Sequence, residues 1–129
     1  MLRADRDRIC AELRSTNEKQ GEMRLERIID GVSHFCCLGI ICKLYIPEQR
    51  NYDVRYETVR YDTFSSTLPP ELAAKFGDRF GFMDFNMPAW RYAGHNVSLS
   101  YDLTQLNDNA GLTFSQIADM LEYFFEVED

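Results

Sequence analysis

The stretch "HFCCLGIICKLY", residues 34–45, holds three of the chain's four cysteines within seven residues. Either its thiols gather around a metal or a substrate, or the stretch is the apolar centre of the fold. Metal ligands must converge on one point. On a helix, adjacent residues are turned by about 100° and residues five apart by about 140°. Cys36, Cys37 and Cys42 would then point in three directions. His34 could join Cys36 from an extended segment, but a fourth ligand would have to come from Cys10 or His95, and that spacing matches no zinc pattern. A nucleophilic thiol needs a base in reach and an open, electropositive setting. The neighbours Phe35, Leu38, Ile40 and Ile41 promise burial instead, which raises a thiol pKa. Gly39 points the same way. A glycine inside a helix costs about 1 kcal/mol relative to Ala, and close approach of another backbone is the usual compensation. Residues 36–45 are therefore read as a buried central helix with Pro47 just past its end. A buried strand is the alternative for so short an apolar run. No metal, cofactor or catalytic thiol is expected.

Upstream, residues 4–14 read as a helix with Ile9, Cys10 and Leu13 on one stripe. The polar run "STNEKQGE" follows as a loop. Asp30-Gly31 then separates two β-prone runs, 24–29 and 32–35. Asp-Gly is a strong signal for a type I′ hairpin turn, which needs positive φ at both positions. Downstream, "NYDVRYETVRYDTF" alternates Tyr52, Val54 and Tyr56 against Asp53, Arg55 and Glu57, the period of a strand with one wet face. "TLPPELAAKFG" reads as a short helix with Pro70 in its first turn and Gly77 past its end. "RFGFMDFNM" (79–87) and "NVSLSYDL" (96–103) read as short strands, joined by the loop "PAWRYAGHN" (88–96).

The last helix is the plainest element. Thr113 and Gln116 form a capping box, and Leu112 and Ile117 take the two positions of a hydrophobic staple. Phe114, Ile117, Ala118, Leu121, Phe124 and Phe125 fall on one face, with Asp119, Glu122 and Glu126 opposite. With no repeat or linker, the reading is a single α+β domain over residues 1–129. The central helix and the amphipathic C-terminal helix are expected to pack on a short antiparallel sheet.

Composition narrows the function classes. The chain has 129 residues and a net charge of −7. Residues 1–60 hold eleven Lys/Arg against ten Asp/Glu, and residues 61–129 hold three against eleven. So acidic a second half argues against direct binding of nucleic acid or an anionic membrane, and it suits a basic partner. The first residues lack the apolar core of a secretory signal, and no apolar run is long enough to span a bilayer. A cytoplasmic setting with reduced thiols is expected. No Walker loop, dinucleotide fingerprint, HExxH or nucleophile elbow occurs. "NDNAG" (107–111) superficially suggests calcium, but the first-ligand position holds Leu106, so it reads as a turn into the last helix.

Four pieces occur in order: "LRSTNEKQGEMRL" (13–25), "CCLGIICKL" (36–44), "LPPEL" (68–72) and "LNDNAGLTFSQIADMLE" (106–122). Together they resemble a family of small, functionally uncharacterised proteins encoded by phages and prophages. The resemblance covers about half of the chain. Lys43 departs from the acidic residue of that pattern. The tyrosine-rich 50–65 region and residues 78–100 lie outside it. The resemblance implies expression in the cytoplasm of a bacterial host cell and carries over no catalytic residue.

Two surface features suit recognition. Trp90, Arg91 and Tyr92 are the residue types that dominate binding energy. Tyr52, Tyr56 and Tyr61 could line a strand face or an open sheet edge. Asp119, Glu122 and Glu126 form an acidic helix face. The expectation is a non-enzymatic, phage-derived binding protein. It would inhibit a host protein, of which immunity and nucleic-acid-processing proteins are the candidate class, through an acidic surface. The rivals are a small-molecule binder or small hydrolase using His34, His95, Cys36 or tyrosines in a pocket, and a self-associating virion or assembly component whose partner is a second copy.

Overall fold

Gly39 sits in the middle of a helix because nothing larger fits there. In a computed structural model, which describes residues 1–76, 90–92, 95–97, 103–108, 110–124 and 127–128, the helix is α2 (Cys37–Tyr45). A β-carbon on Gly39 would lie 1.7 Å from the Leu25 carbonyl oxygen and 2.6 Å from its carbon. The same carbonyl accepts the Cys36 backbone N–H. The close backbone approach expected from a glycine inside a helix is therefore present, and the neighbour is the chain entering the second strand.

Around α2 the elements follow in chain order. Helix α1 (Arg3–Ser15) buries Ile9, Cys10 and Leu13. Strand β1 (Lys19–Gln20) runs parallel to β3 (Val32–Phe35), pairing Lys19 with His34 and Gln20 with Phe35. Strand β2 (Glu26–Ile29) pairs antiparallel with β3. The turn between them has φ of 51° at Asp30 and 78° at Gly31, the positive pair a type I′ turn requires. After α2, a 3-10 turn at Pro47–Gln49 leads into a second hairpin. Helix α3 spans Pro70–Phe76. Strands β6 (Trp90–Tyr92) and β7 (His95–Val97) pair antiparallel. Helices α4 (Leu103–Asp108) and α5 (Phe114–Phe124) complete the order.

The result is an α+β fold in which α2 packs between α1, α4 and β3, while α5 lies along α1 and against α4. Leu38, Ile40, Ile41 and Cys42 of α2 are fully enclosed. The capping box of α5 is reciprocal, with Gln116 N–H donating to Thr113 Oγ1 at 3.2 Å and Thr113 N–H to Gln116 Oε1 at 3.0 Å. The N-terminal and C-terminal segments are tied together, since Arg3 N–H donates to Glu128 O at 2.8 Å and Glu128 N–H to Met1 O at 2.9 Å.

Three expectations change. The alternating run 52–57 is not one strand. It is β4 (Arg50–Asp53), a turn over 54–57, and β5 (Thr58–Tyr61). Val54 and Tyr56 keep the period of a strand yet are exposed, so the alternation continued through a turn that buries nothing. The expected loop around Trp90 contains β6, paired with β7. Of the expected strand 96–103, residues 96 and 97 belong to β7 and Leu103 opens α4, while residues 98–102 lie outside the described residues. The expected strand 79–87 and Gly77 lie outside the described residues.

Candidate functional site

The thiols fill the core. Cys36 is the N-cap of α2, Cys37 and Cys42 are on it, Cys10 is on α1, and all four are buried. Cys10 Sγ donates to Ala118 O at 3.5 Å and Cys37 Sγ to Leu103 O at 3.6 Å. Burial pushes the Cys10 and Cys36 thiols up to about 11, and Cys37 and Cys42 upward as well. A protonated, enclosed thiol is a poor nucleophile. Among the described residues no three His, Cys, Asp or Glu side chains gather as a metal would need. His34 lies on the outer side of β3, its Nδ1 3.0 Å from the Val32 carbonyl oxygen.

Two buried polar groups are structural ties that sequence reasoning missed. Glu26 is buried, and all its acceptor positions are filled. Oε1 accepts from Arg50 Nε and from the Tyr61 hydroxyl, each at 2.9 Å. Oε2 accepts from Arg50 Nη2 at 2.7 Å and Ser33 Oγ at 2.6 Å. Burial alone would raise this pKa, but the hydrogen bonds from Arg50, Ser33 and Tyr61 outweigh it and hold the carboxyl below its ordinary value. The sign of this tie was an acidic residue on the inward phase of a strand, Glu26 with Ile28. Tyr61 is thus corrected. It was expected beside Tyr52 and Tyr56 on a surface, but it is enclosed with its hydroxyl bound to Glu26. Asn107 is the second tie. Its Oδ1 accepts from Gln20 Nε2 and the Cys37 N–H, and its Nδ2 donates to Gly21 O. Gln20 in turn donates to Leu112 O and accepts from the Phe114 N–H. Asn107 with Gln20 is therefore a junction joining β1, α2, α4 and α5.

The acidic helix face is partly closed on itself. Arg14 of α1 donates to Asp119 at 2.7 Å and to Glu122 at 2.5 Å. The Arg14 hydrogen bond holds the Glu122 carboxyl below its usual range. Glu126 and the side chains of Trp90, Arg91, Tyr92 and His95 lie outside the described structure.

Among the described residues, exposed apolar side chains gather at the turn between β4 and β5. Val54 is 74% exposed, Tyr56 67%, Tyr52 42%, and Met23, on the loop before β2, 69%. Arg55 places its guanidinium 5.5 Å from the Tyr56 ring centre. The turn is held by Asp53, whose Oδ1 accepts the Arg55 N–H at 3.0 Å, and by Thr58 Oγ1 donating to Tyr56 O at 3.0 Å. Two shallow, open depressions flank it. One is lined by Tyr52, Val54, Arg55 and Arg60, the other by Met23, Arg24, Arg27, Tyr56 and Glu57. Neither is lined by His34 or a cysteine. Of the expected interaction residues, the structure brings Tyr52 and Tyr56 to one hairpin, and Met23 and Val54 join them.

No helix among the described residues is long and apolar enough to cross a membrane. A family model described as Domain of unknown function (DUF8296) matches residues 1–125. No curated protein and no solved structure matches the chain.

Proposed function

We propose a non-enzymatic protein-binding role for this chain, which belongs to the DUF8296 family, a domain of unknown function. The single observation that carries it is the β4–β5 turn. Large apolar and aromatic side chains stand exposed on a hairpin whose backbone is pinned at both ends of the turn. Rigid Tyr and Arg at the centre of a contact supply most of the energy of protein recognition. By its likeness to phage-encoded proteins, the chain acts in a bacterial cytoplasm, its partner is a host protein, and binding inhibits that protein. The turn replaces the acidic helix face as the leading contact, because Asp119 and Glu122 are engaged with Arg14.

The test is comparative. Tagged wild-type protein and the triple variant Tyr52→Ala, Val54→Ser, Tyr56→Ala are passed through a bacterial lysate, and retained proteins are quantified by mass spectrometry. A partner held by the wild type and lost by the variant supports the reading. A partner held equally by both, or none held by either, rejects it.

A further inference from the structure

The outer face of the three-stranded sheet carries an unusual row. Lys19, His34 and Arg27 are direct cross-strand partners on β1, β3 and β2. Their neighbours along the strands, Gln20, Phe35 and Glu26, point inward, so these three point outward. Strands lie about 4.8 Å apart, so the row spans roughly 10 Å. Lys19 and Arg27, the two formal cations, thus flank His34 on either side. Among the described residues no ion pair engages Lys19 or Arg27, while neighbouring Glu18 is held by Lys43 at 2.6 Å. On the same face stand Ile29 and Val32, also paired across the strands and exposed at 42% and 41%. A cationic row beside an apolar pair, on a chain of net charge −7, is a local inversion of the surface.

We infer that this sheet face docks an acidic protein segment, one presenting two or more carboxylates beside one or two apolar side chains. The inference rests on the reading of the chain as a binding protein and adds the chemistry of what is bound. Carboxylates over Lys19 and Arg27 satisfy the row, and the apolar residues of the segment cover Ile29 and Val32. The occupant is a protein rather than a nucleic acid. Both would meet the net negative charge of the chain, but a phosphate backbone carries a charge at every nucleotide, so it meets more of that repulsion, and it gains nothing from the apolar pair. Arg27 also lines the depression with Met23 and Tyr56, so the face is continuous with the hairpin contact.

The probe is a short fluorescein-labelled peptide of alternating Glu and Val, read by anisotropy at low salt. Its counterparts are the same peptide with Gln in place of Glu, and a single-stranded DNA oligonucleotide. The protein is the full chain, as wild type and as the double variants Lys19→Glu, Arg27→Glu and Lys19→Gln, Arg27→Gln. All three side chains of the row are exposed or half-buried, and a melting curve checks that the fold persists. The Glu peptide should bind at least about tenfold more tightly than the Gln peptide, weaken with salt, and be lost on charge reversal with an intermediate loss on neutralisation. No binding of the Glu peptide, equal binding of the Gln peptide, indifference to the variants, or tighter binding of the oligonucleotide would each overturn it. Tyr52, Val54 and Tyr56 are untouched in these variants, so a failure here is distinguishable from a failure of the hairpin reading.

Discussion

Arg50 grips the buried carboxylate of Glu26 with two nearly parallel hydrogen bonds, 2.9 Å from Nε and 2.7 Å from Nη2. This pair fastens the second hairpin to the first. Arg50 is itself partly exposed, so water moderates what its loss costs. Arg50→Met should still destabilise the fold by roughly 2–3 kcal/mol, because it leaves a buried carboxylate short of two donors. The pH dependence has a definite sign. The folded pKa of Glu26 lies below the ordinary value of 4.5. Its contribution is therefore present above the unfolded carboxyl range and is lost as pH falls through the folded value. Urea denaturation at neutral and acid pH should show a steep acid loss for the wild type and a shallower one for the double variant Glu26→Gln, Arg50→Met.

The Leu25 carbonyl makes Gly39 irreplaceable. On helix propensity alone, Gly39→Ala would gain about 1 kcal/mol. A β-carbon 1.7 Å from a backbone oxygen reverses that sign, since neither α2 nor the Leu25 segment can retreat without opening the core. The variant should lose at least about 3 kcal/mol. Its denaturation midpoint, or failure to refold, reads this directly.

The thiols should be silent in the native state. With Cys10 and Cys36 pushed up to about 11 and all four groups buried, thiolate is scarce at neutral pH and access is closed. Ellman's reagent at pH 8 should label the folded protein far more slowly than the denatured protein, which should release four equivalents at once. Fast labelling of any one thiol in the native state would reopen the thiol-site reading.

Asn107 carries more of the fold than its place in a turn suggests. Asn107→Ala removes the acceptor for the Cys37 N–H and for Gln20, and the donor to Gly21. Two of these partners are backbone groups at the crowded start of α2 and the end of β1. A loss of about 2–3 kcal/mol is expected, against about 1 kcal/mol for Thr113→Ala at the α5 cap. Thermal melts of the two variants side by side test the order.

Elements governed by local chemistry were legible in the sequence. Asp30-Gly31 fixes its own turn, Thr113 and Gln116 cap their own helix, and Gly39 announces a backbone neighbour without naming it. The failures share a different cause. The 54–57 turn has no Gly, Pro or Asn to mark it, and its alternation is that of surface residues. Tyr61 and Tyr52 look alike in sequence. Only the packing of β5 against β2, far away in the chain, sends Tyr61 inward to Glu26 while leaving Tyr52 at the open side. For the same reason the candidate surface was half visible. Tyr52 and Tyr56 stood out as aromatic, but Met23 joins them through a contact between segments some thirty residues apart.

Which surface binds is decided by two sets of substitutions. In the acidic set, Asp119→Asn with Glu122→Gln, the cost to stability should be under about 1 kcal/mol, because both carboxylates and Arg14 are partly exposed. Neutralising them also frees Arg14, so a partner drawn to negative charge would be weakened and any other partner left alone. In the hairpin set, removal of Tyr52 and Tyr56 takes away two exposed rings that support nothing in the core, so stability should hardly change. Each ring that anchors a contact is worth about 2 kcal/mol or more. Partner capture should therefore fall more than tenfold with the hairpin set and stay within about twofold with the acidic set. The reverse pattern would return the binding role to the acidic helix.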